Sequence, residues 1–284
     1  MDIGVAAFTS ETADDPGQLA KRAEELGFTS FWVPEHPVVP IHYTTPYVGS
    51  ADGVIPQQYR RILDPFIALA RASAVTKRIK LGTAICLVPE RNPLLLAKEV
   101  ATLDRLCGGR FAFGVGAGWL KEQVEIMGAG FAQRWRQTTD AVKAMKALWT
   151  QDVSQYQGEF YRFPELSCFP KPMQKPHPPI LVGGFSMRVL KQVAEWGDGW
   201  MPILLPIEKI KEGRKLLHDL AKRGGRDAKS ITISMCALPG QFRSRKEMEE
   251  ASDGEIDEVI AWIGMEEGGA RIGELETVAR AVLQ

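Results

Sequence analysis

An excess of charge of one sign, paired cysteines, clustered histidines and long apolar runs are all missing from this 284-residue chain, and each absence removes a class of protein. Lys+Arg and Asp+Glu both number 35, and neither sign gathers into the block that would grip a phosphate backbone. No nucleic-acid partner is expected. Cys86, Cys107, Cys168 and Cys236 form no C-x-x-C pair, so neither a disulfide framework nor a thiolate zinc site is indicated, and they read as buried small apolar residues. His36, His42, His177 and His218 do not assemble into a ligand set, and no metal is expected. No apolar run approaches the ~20 residues that span a bilayer. The opening MDIGVAAFTS is acidic where a secretory signal is basic, so a cytoplasmic protein is expected. There is no G-x-S-x-G elbow and no P-loop, which leaves serine-nucleophile and nucleoside-triphosphate chemistry without support.

What is there is a globular composition, 45% hydrophobic and 25% charged, with a repeating pattern of short apolar strands and amphipathic helices. Ile3 to Phe8 reads as a strand, and Leu19, Ala20, Ala23 and Leu26 then recur at helical spacing up to Gly27. Ser30 to Val33 is strand two, followed by a helix from Pro65 to Val75 with Asp64 as N-cap and proline at the first helical position. Lys80 to Leu87 is strand three, Pro93 to Leu106 its helix, Arg110 to Val115 strand four and Phe131 to Trp149 the helix after it. From Thr150 to Pro179 six prolines interrupt the pattern around a small hairpin at Tyr156 to Phe163. Strands at Ile180 to Val182, Gly199 to Met201, Ile231 to Ala237 and Val259 to Ile263 follow, with helices at Met187 to Trp196, Ile207 to Arg223, Ser244 to Ser252 and Glu274 to Leu283. Parallel neighbours need crossover connections, and eight such units predict a (β/α)8 TIM barrel spanning residues 1–284 as one domain, with insertions after strands 2 and 4.

In such barrels chemistry is built on the loops after the strand C-termini. Glu35-His36 follows strand two, where an imidazole can donate a hydrogen bond or a proton at neutral pH, or where two polar residues simply cap the rim. Gly114-Val115-Gly116-Ala117-Gly118-Trp119 follows strand four. It has tryptophan where a dinucleotide fingerprint has its last glycine, leaving a close backbone approach to a flat ligand, or a tight turn. Gly183-Gly184-Phe185-Ser186 opens directly onto a helix and is either an anion site or an ordinary turn. The seven tryptophans read by default as core; only Trp119, beside loop glycine, is a ring-stacking candidate.

Taken together, FTSFWVPEH (28–36), IKLGTAICLVPERNPLLLAKEVATLDRL (79–106), GGRFAFGVGAGWL (108–120), YQGEFYRF (156–163), PHPPILVGG (176–184) and GDGW (197–200) resemble the bacterial luciferase-like monooxygenase superfamily, and within it the coenzyme F420-dependent oxidoreductases. The similarity is closest over residues 1–205. The resemblance implies a TIM barrel, often a homodimer, binding a flavin or 5-deazaflavin across the strand C-termini, with Glu35 and His36 as the catalytic pair against its ring. It implies that Thr83, Ala84, Ile85 and Cys86 back the ring, with a non-prolyl cis peptide at Ala84-Ile85. Gly116, Ala117 and Gly118 would lie beside the cofactor tail, and Gly183, Gly184, Phe185 and Ser186 at its phosphate. Members acting on sugar phosphates carry a catalytic glutamate where this chain has Trp119, which argues against that activity. The expected reaction is hydride transfer between F420 and a small organic substrate, in a pocket bordered by the loop after strand two and the hairpin excursion and walled by Tyr43, Tyr47 and Trp119. An FMN-dependent monooxygenase of the same superfamily, or a non-catalytic flavin-binding barrel, are the alternatives.

Overall fold

The computed structural model describes residues 1–264 and 271–283. Its strands are β1 (Asp2–Ala7), β2 (Ser30–Val33), β3 (Lys80–Thr83), β4 (Cys86–Leu87), β5 (Phe111–Gly116), β6 (Ser154–Gln157), β7 (Arg162–Leu166), β8 (Ile180–Gly183), β9 (Gly199–Met201), β10 (Thr232–Ala237) and β11 (Glu258–Ile263). The helices are α1 (Pro16–Leu26), α2 (Pro65–Ser73), α3 (Pro93–Leu106), α4 (Lys121–Ile126), α5 (Arg134–Thr150), α6 (Met187–Trp196), α7 (Ile207–Arg223), α8 (Arg245–Ser252) and α9 (Arg271–Val282). The parallel order β3-β2-β1-β11-β10-β9-β8-β5 closes on itself through β3–β5 pairing, making the eight-stranded barrel that the βα repeat predicts. Asp15, Asp64 and Asn92 cap α1, α2 and α3 with side-chain oxygens, each ahead of a proline in the first turn, so the chain enters these helices where the sequence says it must.

The core has two shells, separated by the alternation of side chains along each strand. Val5, Phe31, Val33, Phe113 and Val182 point outward into the layer under the helices. Ala6, Trp32, Ala112, Leu181 and Ile260 point inward and fill the barrel. No helix among the described residues is long and apolar enough to cross a membrane.

Two expectations need correction. The third strand is broken: β3 and β4 are separated by a cis peptide bond between Ala84 and Ile85, at the position the resemblance implies. The loop after β5 carries a further short helix, α4, which periodicity over six residues is too brief to announce. The excursion at 150–179 leaves the C-terminal end of α5, but its hairpin β6–β7 folds back along that helix: Glu159 pairs with Arg136, and Asp140 accepts from Phe160 N at 2.7 Å, so the hairpin tip stands beside the first two turns of α5 near the mouth.

Candidate active site

At the C-terminal mouth the strand ends enclose a cavity of about 360 Å³, within the range of small-molecule sites. Ala84 and Ile85 form part of its lining, and Ile85 lies there because β5 and β8 carry no side chain opposite it. A Cβ on Gly116 would sit 2.1 Å from Ile85 Cδ1, and one on Gly183 2.8 Å from the same atom. The glycines at these strand ends thus make room for a neighbouring side chain as well as for a ligand.

Each expected site residue can now be placed. Glu35, His36, Ala84, Ile85, Gly116, Ala117, Gly118, Gly183, Gly184, Phe185 and Ser186 all line the cavity, although they come from four separate stretches of chain. Thr83 and Cys86 do not. Thr83 is buried with its hydroxyl donating to Gly114 O at 2.7 Å, and Cys86 packs into the shell outside the barrel, where burial pushes its thiol well up. The break at Ala84-Ile85 leaves only the two middle residues of that segment lining the cavity. Tyr47 and Trp119 are walls, as expected; Tyr43 stands behind them, its hydroxyl accepting from Ile55 N at 3.0 Å.

The Glu35-His36 pair divides its work. Glu35 is buried and both carboxylate oxygens are engaged, one with Leu87 N at 2.6 Å and the other with Arg91 Nε at 2.6 Å and Arg91 Nη2. Arg91 also reaches Asp64 at 2.6 Å and Glu99 at 3.3 Å. Glu35 therefore locks the rim after β2 to the start of the segment after β4, and its own oxygens are not free for chemistry. His36 stands beside it with its ring edge-on to Tyr59 (centroids 5.1 Å apart) and to Trp119 (5.9 Å). Its Nδ1 is 2.7 Å from Gln123 Oε1, and Gln123 Nε2 donates to Glu90 Oε2 at 2.7 Å. An amide oxygen only accepts, so with the amide in this orientation Nδ1 carries the proton and Nε2 has a lone pair and no hydrogen-bond partner among the described residues. Burial holds the imidazole down at about 4, against the opposing pull of Gln123, so His36 is neutral at pH 7.

The short helix α4 places two neighbouring side chains in different roles. Gln123 holds His36, while Glu122 accepts from Thr44 N at 2.6 Å, Thr44 Oγ1 at 2.8 Å and Thr45 N at 3.2 Å. The backbone bond from Thr44 is the main reason that carboxyl is held at about 2. The long loop after β2 is tied to α4 by this contact and braced within itself by the Tyr47–Tyr59 hydroxyl pair at 2.8 Å.

At the other end of the cavity Ser186 caps α6, accepting from Val189 N at 3.4 Å, after Gly184 at φ 117°. Arg134 lines the same region. It donates only to the carbonyls of Gly118 (2.9 Å) and Phe131 (2.7 Å), lies 3.7 Å over the Phe131 ring, and makes no ion pair with a carboxylate among the described residues. Its proton affinity is lowered by burial and by the like charge of Arg188 in the first turn of α6. Two guanidinium groups beside a helix N-terminus give this end of the cavity a positive potential. Gln123, Glu90, Arg134 and Trp262, which also lines the cavity, escaped the sequence reading; only the R-W-R at the start of a helix was a legible signal. Among the described residues no group of three or more His, Cys, Asp or Glu is placed to hold a metal ion.

A closed parallel barrel with an apolar cavity at its C-terminal mouth, a neutral imidazole on one side and two guanidinium groups toward the other has the layout of a barrel enzyme, whose chemistry sits at the strand C-termini. The luciferase-like monooxygenase family model matches residues 1–279, and the chain belongs to that family. It is 38% identical over 241 residues to an uncharacterised protein of Mycobacterium tuberculosis, covering 84% of this chain and 85% of that one. It is 30% identical over 256 residues to the FMNH2-dependent dimethylsulfone monooxygenase of Pseudomonas putida, covering 89% of this chain and 64% of that enzyme. In fold it is similar to the coenzyme F420-dependent tetrahydromethanopterin reductase of Methanopyrus kandleri, with a TM-score of 0.74 over 99% of this chain and 98% of that one at 16% identity.

Proposed function

We propose that this chain transfers a hydride between coenzyme F420 and a small organic substrate bound in the cavity at the barrel mouth. The observation that carries the reading is His36: a neutral imidazole whose Nε2 lone pair has no protein partner, at the wall of an apolar cavity. Moving a hydride to or from a carbon that bears oxygen changes the charge on that oxygen, and a proton acceptor or donor must stand beside it. His36 supplies that group.

The residues fit a planar cofactor with an anionic tail. Ala84 and Ile85 would lie against the ring, Gly116, Ala117 and Gly118 would let backbone approach it closely, and Gly183, Gly184, Phe185, Ser186 and Arg134 would hold the phosphate. A bound 5-deazaflavin supplies two-electron hydride chemistry, and the protein supplies its orientation toward the substrate. Glu35, through Leu87 and Arg91, holds the rim that carries His36. Tyr47, Tyr59 and Trp119 restrict the substrate to a small one and keep water from the reacting atoms. The expected homodimer is supported by apolar side chains exposed on α2, α3 and the excursion at 150–179, Ile67, Leu95 and Phe169, the last tied to α3 through Lys98.

A second reading, an FMN-dependent monooxygenase, is favoured by the Pseudomonas putida relative. Titration of the protein with F420 and FMN in parallel separates the two. The proposal expects tighter binding of F420 and cofactor turnover with an alcohol or carbonyl panel; binding of FMN alone would overturn it.

A further inference from the structure

The side chain of Gln123 bridges a buried carboxylate to the imidazole, and an amide has one accepting and one donating end. Whichever way it faces, its two hydrogen bonds have opposite sense. With Glu90 ionised, the carboxylate can only accept, so the amide turns its Nε2 to Glu90 Oε2 (2.7 Å) and its Oε1 to His36 Nδ1 (2.7 Å). His36 then carries its proton on Nδ1, and Nε2 accepts. With Glu90 protonated, a proton on Oε1 would find no acceptor among the described residues, whereas one on Oε2 donates to the amide oxygen once the amide turns over; the amide NH2 then donates to Nδ1, and the imidazole proton sits on Nε2.

We infer that Glu90 is a positioning residue which, through Gln123, decides which nitrogen of His36 carries the proton, and hence whether the nitrogen left free for the cavity accepts or donates a hydrogen bond. The switch takes up one proton. It forms the O–H bond of Glu90, and the imidazole loses one proton from Nδ1 and gains one at Nε2 by exchange with water. His36 stays neutral and no electrons move.

The surroundings of Glu90 suit a group that titrates. It is buried, its Oε1 has no hydrogen-bond partner among the described residues, and a Cβ on Gly118 would come within 2.9 Å of that oxygen. The charged groups that act on it are Glu35, which disfavours ionisation, and Arg91, which favours it but is shared among Glu35, Asp64 and Glu99. Burial is the largest influence, and the carboxyl is pushed up to about 7 although Gln123 pulls the other way. His36 itself titrates at about 4, so Glu90 changes state in a range where the imidazole does not. Resting on the hydride-transfer reading, the accepting form would serve oxidation of an alcohol and the donating form reduction of a carbonyl.

The test needs no cofactor. The protein carries four histidines, so nitrogen-15 NMR of histidine-labelled protein, assigned by loss of one signal pair in His36→Gln, reads the tautomer directly. The expected result is Nδ1–H predominating one pH unit above the Glu90 midpoint and Nε2–H one unit below it, a reversal of about tenfold in the ratio on each side. Glu90→Gln and Gln123→Leu should each abolish the pH dependence, and Glu90→Asp should keep it with a moved midpoint. A wild-type His36 that keeps one tautomer from pH 5.5 to 8.5 overturns the inference even if the variants do not fold. A reversal in a protein that transfers no hydride to or from F420 upholds the switch and removes the functional reading.

Discussion

Of the three buried glutamates among the described residues, Glu258 and Glu90 lie at opposite ends of the barrel and are treated differently. Glu258, the first residue of β11, lies at the N-terminal end, where each carboxylate oxygen has its own serine: Ser30 Oγ donates to Oε1, and Ser234 Oγ to Oε2 at 2.7 Å. Trp32 Nε1 in turn donates to Ser30 Oγ at 2.6 Å. Glu90, at the C-terminal end, has a single amide for one oxygen and nothing among the described residues for the other. A saturated polar cluster fixes one arrangement of strands, whereas a half-saturated one can settle into two. The bottom of the barrel is built to stay as it is, and the mouth is built to change state.

Replacing His36 by Ala should leave the melting temperature within a few degrees of the parent and lower the hydride-transfer rate by at least about 100-fold, the ordinary contribution of a positioned acid or base. Single-turnover rates with bound cofactor measure it, and an unchanged rate would remove His36 from the chemistry. At the other end, Ser234→Ala strips one oxygen of Glu258 of its donor and should cost about 1–3 kcal/mol in a denaturant titration, with cofactor affinity unaltered. Equal loss of affinity would mean that the two ends are not independent. Ser186→Asp keeps a good N-cap for α6 and so should not lower stability, but it places a negative charge where the anionic tail is expected and should weaken cofactor binding about tenfold.

The smallest effect is one of pH. The folded state holds Glu90 at about 7 against an ordinary 4.5, so between those values it keeps a proton the unfolded chain has released, and stability falls as pH rises. It holds His36 at about 4 against 6.5, so there the unfolded chain binds the extra proton and stability rises with pH. The two slopes oppose each other where the windows overlap. Glu90→Gln should expose the rising slope and His36→Gln the falling one, neither exceeding about 1.4 kcal/mol per pH unit. Denaturant midpoints across that window check both, and a change of the opposite sign in either variant would contradict the assigned protonation states.

Much of the site was legible because the residues that form it are also the residues that end strands. Glu35-His36, Gly116 to Gly118 and Gly183 to Ser186 each follow an apolar run and interrupt it with glycine or a polar group, which a parallel barrel places at one rim. The cis bond at Ala84-Ile85 was reached through family resemblance, since nothing in the alternation of β3 signals it. Gln123 and Glu90 were illegible for a plain reason. They stand 33 residues apart on a six-residue helix and in a Pro-containing turn, and only closure of the barrel brings them to His36. Arg134 was missed for the same reason: only the closed barrel brings the start of α5 to the cavity.

The sequence by itself determined the alternation of strands and helices, the caps that start α1 to α3, and therefore the barrel and the identity of its rim, because these depend on periodicity and on short-range backbone chemistry. Only the tertiary structure decided that Glu35 is held by Arg91 while His36 is left neutral with one nitrogen unclaimed, and that Glu258 is satisfied and Glu90 is not. Those outcomes depend on which polar groups meet across the closed barrel and how much water they lose, and neither quantity is carried by any local stretch of chain.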